Sequence, residues 1–163
     1  MSADQPKPSN QLPGGMPLGE LAGAFALFTE VGIISQLNRA AVETALPPGL
    51  LMPHFSVLNH LVRLGDGQTP LAIARAMQTP KTSMTHTLVG LEAKGLVEMR
   101  RNPDDGRSKQ VWITEAGKAL RLTTVGKLAP GMAGFLNAFP ASDLTRLAGE
   151  LSEIRKWLDN ARG

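Results

Sequence analysis

The sequence of 163 residues contains no cysteine. Without thiols, the chain forms no disulfide, offers no thiolate to a metal ion and holds no sensor in which a thiol is oxidised. Nothing in the composition therefore calls for an oxidising compartment, and we expect a cytoplasmic protein.

Signatures of common enzyme classes are also missing. The sequence has no glycine-rich phosphate loop, no Gly-x-Ser-x-Gly and no His-Glu-x-x-His. The three histidines, His54, His60 and His86, lack the spacing and the carboxylate companions of a metal site. We therefore expect a protein without enzymatic activity, cofactor or metal ion.

Long apolar runs are scarce as well. The most apolar stretch, residues 21–34, is interrupted by Thr29 and Glu30 and is shorter than the roughly 20 residues that a bilayer core requires. The first residues show no basic cluster followed by an apolar run, as a secretory signal would. We expect no membrane association, and we expect the proline- and glycine-rich residues 1–17 to form a disordered tail.

What the chain does contain is enough apolar sequence for one core and a modest positive charge. It is 42% hydrophobic, which suffices for one globular unit with appended helices. The formal net charge of +3 is compatible with a polyanionic partner, although it is far below that of a non-specific nucleic-acid coat. Basic side chains gather between Lys81 and Arg121, which directs attention to the middle of the chain.

Apolar residues at three- and four-residue spacings predict a succession of helices. The first, a long helix, ends where Pro47 begins a Pro-Pro-Gly sequence. Thr69 and Pro70, and then Thr79 and Pro80, give the same start signal of a capping threonine followed by a proline in the first turn. These signals predict two short helices joined by a tight turn. The predicted helices cover residues 18–46, 53–64, 70–77 and 80–94.

Two runs of strand-forming residues, 96–100 and 110–114, predict a β-hairpin with a basic tip. Thr114 is the expected cap of the helix that follows, in which Gly117 is a weak point and Pro130-Gly131 introduces a kink or a break. A final helix carries an apolar stripe formed by Leu144, Leu147, Leu151, Ile154 and Leu158.

The order helix, helix, tight turn, helix, hairpin predicts a winged helix-turn-helix, a mainly α fold with a small β wing. The second helix of the pair has an apolar back, formed by Met84, Leu88 and Leu91, and a polar front. Small polar or cationic side chains in the N-terminal half of such a helix reach base edges in the major groove of DNA. The predicted DNA-reading residues of this helix are Lys81, Thr82, Ser83, Thr85 and His86.

The hairpin tip adds a candidate contact to the minor groove. Gly106 allows a close turn, and beside it the guanidinium of Arg107 suits a narrow minor groove. Arg100, Arg101 and Lys109 are candidates for holding phosphates. Each of these features alone also occurs in proteins that never meet DNA, and it is the ordered combination that indicates DNA binding.

These motifs resemble those of the MarR family of bacterial transcription regulators. The resemblance is carried by Ile73-Ala74, Thr82-Ser83-Met84-Thr85-His86, Leu91-Glu92-Ala93-Lys94-Gly95-Leu96-Val97, Arg100, Asp105-Gly106-Arg107 and Val111-Trp112-Ile113-Thr114-Glu115-Ala116-Gly117. It implies a triangular homodimer with a dimerisation helix at 18–45, a winged helix-turn-helix domain at 46–122 and C-terminal dimerisation helices at 123–163. The apolar content of the flanking helices agrees, because a lone subunit could not cover both broad faces.

The resemblance also implies a mechanism. Family members are commonly repressors that bind pseudo-palindromic double-stranded DNA and are released by a small, often aromatic, ligand. Arg107 corresponds to the family's wing arginine, and Asp105 would help to fix it by an ion pair or a hydrogen bond. His86 stands where the family often has arginine, and because histidine is shorter and mostly neutral at pH 7, its DNA contact is left open. The lack of cysteine argues against the peroxide- or thiol-sensing branch.

Two questions remain open at this point. A winged-helix adaptor that binds another protein, without specific DNA binding, would present the same front surface. The sequence also identifies no effector, because Phe28, Leu37 and Phe55, the candidate lining residues of the first two helices, are better explained as core.

Overall fold

The computed structural model describes residues 17–103 and 105–161, which form a mainly helical chain with a two-stranded antiparallel sheet. The elements are α1 (Leu18–Ala45), α2 (Met52–Leu64), α3 (Pro70–Ala76), α4 (Lys81–Ala93), β1 (Val97–Arg101), β2 (Lys109–Ile113), α5 (Glu115–Ala138) and α6 (Ala141–Asn160). This order confirms the predicted mainly α winged helix-turn-helix fold. The predicted tail lies, except for Pro17, outside the described residues.

The start of α3 follows its sequence signal, whereas the start of α4 does not. The hydroxyl of Thr69 accepts a hydrogen bond from a first-turn amide of α3 at 3.2 Å, as a capping residue should. Thr79 instead donates its hydroxyl hydrogen to the carbonyl of Met77 at 3.2 Å, and Pro80 is the N-cap of α4. The predicted cap at Thr79 is therefore wrong, because the tight turn, in which Gln78 adopts a φ of 51°, directs the threonine back toward α3.

The hydrophobic core lies between α2, α3, α4 and the inner face of the hairpin. Its most deeply buried apolar side chains are Val57, Leu58, Leu61, Ile73, Met84, Leu88, Leu91 and Val111. This set includes the predicted apolar back of α4. Val62, the residue after Leu61, is 42% exposed. Successive residues of a helix point about 100° apart, so a helix that turns Leu61 fully into the core turns Val62 aside.

The hairpin is attached to the loop between α2 and α3. Its two strands pair antiparallel, with Val97 opposite Ile113. The carboxylate of Asp66 accepts a hydrogen bond from the amide of Ile113 at 2.8 Å, and Gln68 forms an isolated antiparallel bridge with Val111. The second strand is therefore held on both edges, which fixes the hairpin relative to the helices beneath it.

The beginning of α5 shows why a glycine stands inside this helix. Thr114 caps the helix as predicted, accepting a hydrogen bond from the amide of Gly117 at 3.1 Å. A Cβ on Gly117 would overlap the carbonyl oxygen of Leu96 and lie 2.8 Å from Cγ1 of Ile113. Gly117 is thus not a weak point, as the sequence suggested, but the residue that lets α5 pack closely on the hairpin.

The same helix continues without a break through Pro130-Gly131 to its end at Ala138. The break that the sequence allowed there is therefore wrong. Pro130 has no amide hydrogen to donate to the carbonyl of Gly126, and because both residues are exposed, water can bind this carbonyl instead.

Two contacts join α5 to the helices before it. The guanidinium of Arg121 donates from Nε and Nη2 to Oδ1 of Asn59 on α2, at 3.2 and 3.1 Å. Further along, Nζ of Lys127 donates to the carbonyl of Ala45 at the end of α1, at 3.0 Å. The first half of α5 is therefore part of the winged domain, and its second half extends beyond these contacts.

Much apolar surface is uncovered on α1, on the second half of α5 and on α6. No residue of α6 is buried, and Phe25, Leu37 and Trp157 are 66%, 67% and 68% exposed. The sequence predicts that Phe28, Leu37 and Phe55 are core residues. Phe55 is buried, but Phe28 is 47% exposed, so for Phe28 and Leu37 the expectation is wrong in the single chain. The reason is that no other described element of the chain covers this part of α1.

The first helix is also long enough to raise the question of a membrane. The stretch Leu21–Ala45 has 25 residues and a mean hydropathy of 1.3, which satisfy the length and composition of a membrane span. Length alone therefore does not exclude a span, contrary to the expectation from residues 21–34. The C-terminal end of the stretch, at Val42 and Ala45, is buried against the rest of the chain.

Candidate nucleic-acid interface

The predicted DNA-reading residues of α4 share the exposed part of this helix. Lys81, Thr82, Ser83, Thr85 and His86 are all exposed. The hydroxyl of Thr85 donates to the carbonyl of Lys81 at 2.9 Å, and no side chain caps the first turn. Amides of the first turn and several short polar side chains are therefore presented at the end of the helix that approaches DNA in a winged helix.

Hydrogen bonds order the wing tip, by which we mean the described residues 102–103 and 105–108 between the strands. The carboxylate of Asp105 accepts from the amide of Arg107 at 3.0 Å, and its carbonyl accepts from the amide of Ser108 at 2.9 Å. The side chain of Asn102 donates to the hydroxyl of Ser108 at 2.9 Å. Asp105 thus supports Arg107 by a hydrogen bond to its backbone amide, the second of the two contacts expected, and the side chain of Arg107 is exposed.

Gly106 serves a different purpose from the one inferred from sequence. Its φ is not positive, so the turn itself does not require glycine. A Cβ at this position would lie 2.7 Å from Nη2 of Arg101, the last residue of β1. Gly106 therefore makes room for the guanidinium of Arg101 at the base of the wing tip.

The structure separates the predicted phosphate-binding residues into two groups. Arg100 lies on the outer face of the hairpin, where its guanidinium is 4.9 Å from the ring of Trp112 and pairs with Glu98 at 2.8 Å. The hydrogen bond from Arg100 lowers the pKa of Glu98, and the same contact raises the pKa of Arg100. Lys109 lies on the opposite side, facing α4, so only Lys109 shares a surface with the front of α4.

One cleft brings together some of the predicted residues of α4 and of the wing, whereas Thr82, Ser83, His86 and Arg101 do not line it. We call it the wing cleft; it has a volume of about 620 Å³ and lies between α3, α4 and the hairpin. It is lined by Thr69, Pro70, Leu71, Lys81, Thr85, Val89, Met99, Asn102, Asp105, Arg107, Ser108 and Lys109. Lys81, Arg107 and Lys109 have no ion-pair partner within residues 17–103 and 105–161. The wing cleft is therefore a concave surface with three cations available to an anionic partner.

The histidines outside α4 have structural partners. Nδ1 of His54 accepts a hydrogen bond from the amide of Leu51 at 3.0 Å at the start of α2, and burial, with the nearby charges of Lys94 and His86, lowers its pKa. Nε2 of His60 lies 2.9 Å from Oε1 of Gln68. Among the described residues no group of three metal-binding side chains occurs.

A second cavity lies where α1, α2 and α5 meet. We call it the interdomain cavity; its volume is about 490 Å³. Its polar lining consists of Asn38, Ser56, Asn59, His60 and Arg63, and none of its lining residues is acidic. Its apolar lining is formed by Ala41, Val42, Met52, Phe55, Ala76, Met77, Leu128 and Met132.

Sequence reasoning missed the polar residues of the interdomain cavity. Ser56, Asn59 and Arg63 follow one another at three- and four-residue spacings, so they form a polar stripe along one side of α2. That stripe was the available signal, because a helix that is half-buried in a core has little other reason to carry amide and guanidinium groups toward its neighbours.

The fold and the exposed cationic surface are those of a winged helix-turn-helix protein. The family model of MarR matches residues 49–108, from the chain before α2 to the wing tip. The match covers this domain, and it confirms the resemblance to the MarR family seen in the sequence motifs.

Solved structures share the fold over most of the chain. BldR, a transcriptional regulator from Sulfolobus solfataricus, has a TM-score of 0.71 and 21% identity, over 83% of this chain and 96% of that one. A mutant of MarR from E. coli, complexed with operator DNA, has a TM-score of 0.67 and 21% identity, over 81% of this chain and 95% of that one. BpsR from Bordetella bronchiseptica, whose DNA binding is regulated by 6-hydroxynicotinic acid, has a TM-score of 0.66 and 18% identity, over 80% of this chain and 98% of that one.

Proposed function

We propose that this protein is a sequence-specific, double-stranded DNA-binding regulator of transcription, a homodimeric repressor that a small ligand releases from its operator. The observation that supports this function most directly is the wing cleft. It combines Lys81 and Thr85 on the exposed front of α4 with the cations Arg107 and Lys109 in one concave surface.

The shape of this surface fits the two grooves of DNA. A helix in the major groove contacts base edges with its N-terminal half, where Lys81, Thr82 and Thr85 lie. The wing then reaches the neighbouring minor groove with Arg107, while Lys109 neutralises phosphates between the grooves. The E. coli neighbour with operator DNA supports the same arrangement for this chain.

A second copy of the chain is the proposed cover for the apolar surface of α1, α5 and α6. Side chains such as Phe25, Leu37 and Trp157 would be costly to leave in water, and contact between copies removes them from it. A two-fold dimer also presents two α4 helices, which fits half-sites about one helical turn apart. A bilayer is the competing cover, because Leu21–Ala45 is long enough to enter one.

The first test compares binding to a duplex recovered by selection from random DNA with binding to a random duplex, over a range of salt concentrations. We expect specific binding at physiological salt with one dimer per symmetric site. If Lys81, Arg107 and Lys109 of both subunits each neutralise a phosphate, log affinity should fall against log salt with a slope of about −5. Light scattering on the complex measures its stoichiometry.

Other outcomes would exclude parts of the proposal. A protein that recovers no preferred sequence, but forms a salt-insensitive complex with another protein, would be a winged-helix adaptor. A protein that requires detergent to stay in solution, and is monomeric there, would contradict the cover by a second copy and support membrane association.

The interdomain cavity is the proposed ligand site. An apolar lining with one constant cation, Arg63, and no acid suits a small, flat molecule that carries a negative charge. Asn59 lines the cavity and also accepts both hydrogen bonds of Arg121, so a ligand there would compete for the link between α2 and α5. A change in this link would alter the spacing of the two winged domains and favour the unbound form.

An aromatic acid tests this site. We expect 6-hydroxynicotinic acid, or a related benzoate, to release the operator duplex, and Arg63→Gln to raise the concentration needed by about tenfold, because a charge-assisted hydrogen bond is lost. Arg155→Gln on α6, outside the cavity, is the matched control and should respond as wild type does. Equal response of Arg63→Gln and wild type would place the ligand elsewhere.

A further inference from the structure

Val89 is an apolar side chain on the mostly polar front of α4. It is 52% exposed, and it follows Lys81 and Thr85 at four-residue spacings, so the three side chains lie along one side of the helix. All three line the wing cleft, together with Leu71 of α3, which is 42% exposed. The cleft therefore combines an apolar patch with its cations.

The composition of α4 limits how this helix can distinguish bases. Lys81 is its one residue of the kinds that form paired hydrogen bonds with guanine or adenine, since α4 contains no arginine, asparagine or glutamine. Its glutamate, Glu92, is part-buried and accepts a hydrogen bond from the amide of Met99 at 2.9 Å. Apart from Lys81, the exposed polar side chains of its first half are short. Discrimination by α4 therefore depends on short contacts, apolar ones included.

We infer that Val89 contacts the methyl group of a thymine at a fixed position in each half-site, and so helps to determine the operator sequence. This inference rests on the proposed DNA-binding function. The C5-methyl of thymine is the apolar group that base edges present in the major groove. A duplex whose phosphates approach Lys81 and Lys109 brings such base edges to the side of α4 on which Val89 lies.

The test uses the full chain and a duplex recovered by selection from random DNA. Each thymine is replaced in turn by deoxyuridine, which lacks only the methyl group, in both half-sites at once. Burying one methyl group changes an affinity by about four-fold. We therefore expect one position at which deoxyuridine in both half-sites lowers the DNA affinity of wild type by about fifteen-fold. The variant Val89→Ala has already lost the contact, so deoxyuridine at that position should lower its DNA affinity by no more than about two-fold.

Two controls separate this contact from general effects. Bromine has about the size of a methyl group, so 5-bromodeoxyuridine at the same position should restore binding by wild type. Val62→Ala makes the same change at a valine that is 42% exposed on α2, outside the wing cleft. Deoxyuridine should lower the DNA affinity of this variant as much as it lowers that of wild type.

The outcomes distinguish the inference from the function beneath it. If wild type tolerates deoxyuridine at every position, or if Val89→Ala loses as much as wild type does, the inference is overturned and the DNA-binding function stands. If wild type recovers no preferred sequence at all, the proposed function is overturned, and the inference with it.

Discussion

Replacing Arg107 by alanine should remove at least about thirty-fold of the specific DNA affinity of the dimer. An arginine contact of this kind contributes about 1–3 kcal/mol, and a dimer loses two of them. The wing tip itself should persist, because Asp105 orders it through the amides of Arg107 and Ser108 rather than through the guanidinium. The loss should therefore appear in titrations of the operator duplex and not in thermal unfolding.

Arg146→Ala is the control for the change in net charge. Arg146 lies on α6, where it pairs with Glu150 at 2.9 Å and both side chains are more than half exposed. An exposed pair of this kind contributes little to stability, so we expect a DNA affinity within about two-fold of wild type. If Arg107→Ala and Arg146→Ala bind the operator equally well, the wing does not contact DNA.

Gly117→Ala should destabilise the folded protein by about 1–3 kcal/mol, although alanine normally favours a helix over glycine by about 1 kcal/mol. The new Cβ would overlap the carbonyl oxygen of Leu96, which also accepts a hydrogen bond from the amide of Thr114 at 3.2 Å. A carbonyl held in this way cannot rotate aside as a side chain would. Denaturant unfolding at one fixed protein concentration measures the difference, because a dimer's stability depends on concentration.

Gly126→Ala provides the same substitution in the same helix without the obstruction. No atom lies within 4 Å of the position that its Cβ would take. We expect a gain of about 0.5–1 kcal/mol there. The two variants should change the free energy of unfolding in opposite directions. If Gly117→Ala also stabilises the protein, the close packing of α5 on the hairpin is not as described.

Local sequence signals predicted local structure well. Thr69 and Thr114 cap their helices, and Gly95 ends α4 with a φ of 67°, as expected of a left-handed terminus. Features that depend on residues far apart in the chain were not predicted. Asp66 accepts a hydrogen bond from the amide of Ile113, which lies 47 residues further along the chain, and the sequence around neither residue indicates this contact.

The candidate site divides in the same way. The exposed front of α4 and the wing arginine followed from helical periodicity and hairpin signals alone. The orientation of Arg100 did not, because the hairpin's outer face is set by pairing with Glu98 and stacking on Trp112. The interdomain cavity could not be predicted either, since its walls come from four helices, α1, α2, α3 and α5, whose packing no spacing within α2 specifies.

The hold on α5 has a mechanical consequence for the proposed dimer. A helix of 24 residues is about 36 Å long, and its first half is joined by hydrogen bonds to α2 through Arg121 and to the end of α1 through Lys127. The second half of α5 extends beyond these hydrogen bonds, and Pro130, a point of lower bending stiffness, lies just past them. A tilt of about 5° over half that length displaces a winged domain by about 2 Å, comparable to the helix shifts that switch other proteins. In the proposed dimer, the distance between the two α4 helices therefore depends on the angle of α5, and a small ligand that tilts α5 changes this distance without pushing the domains apart.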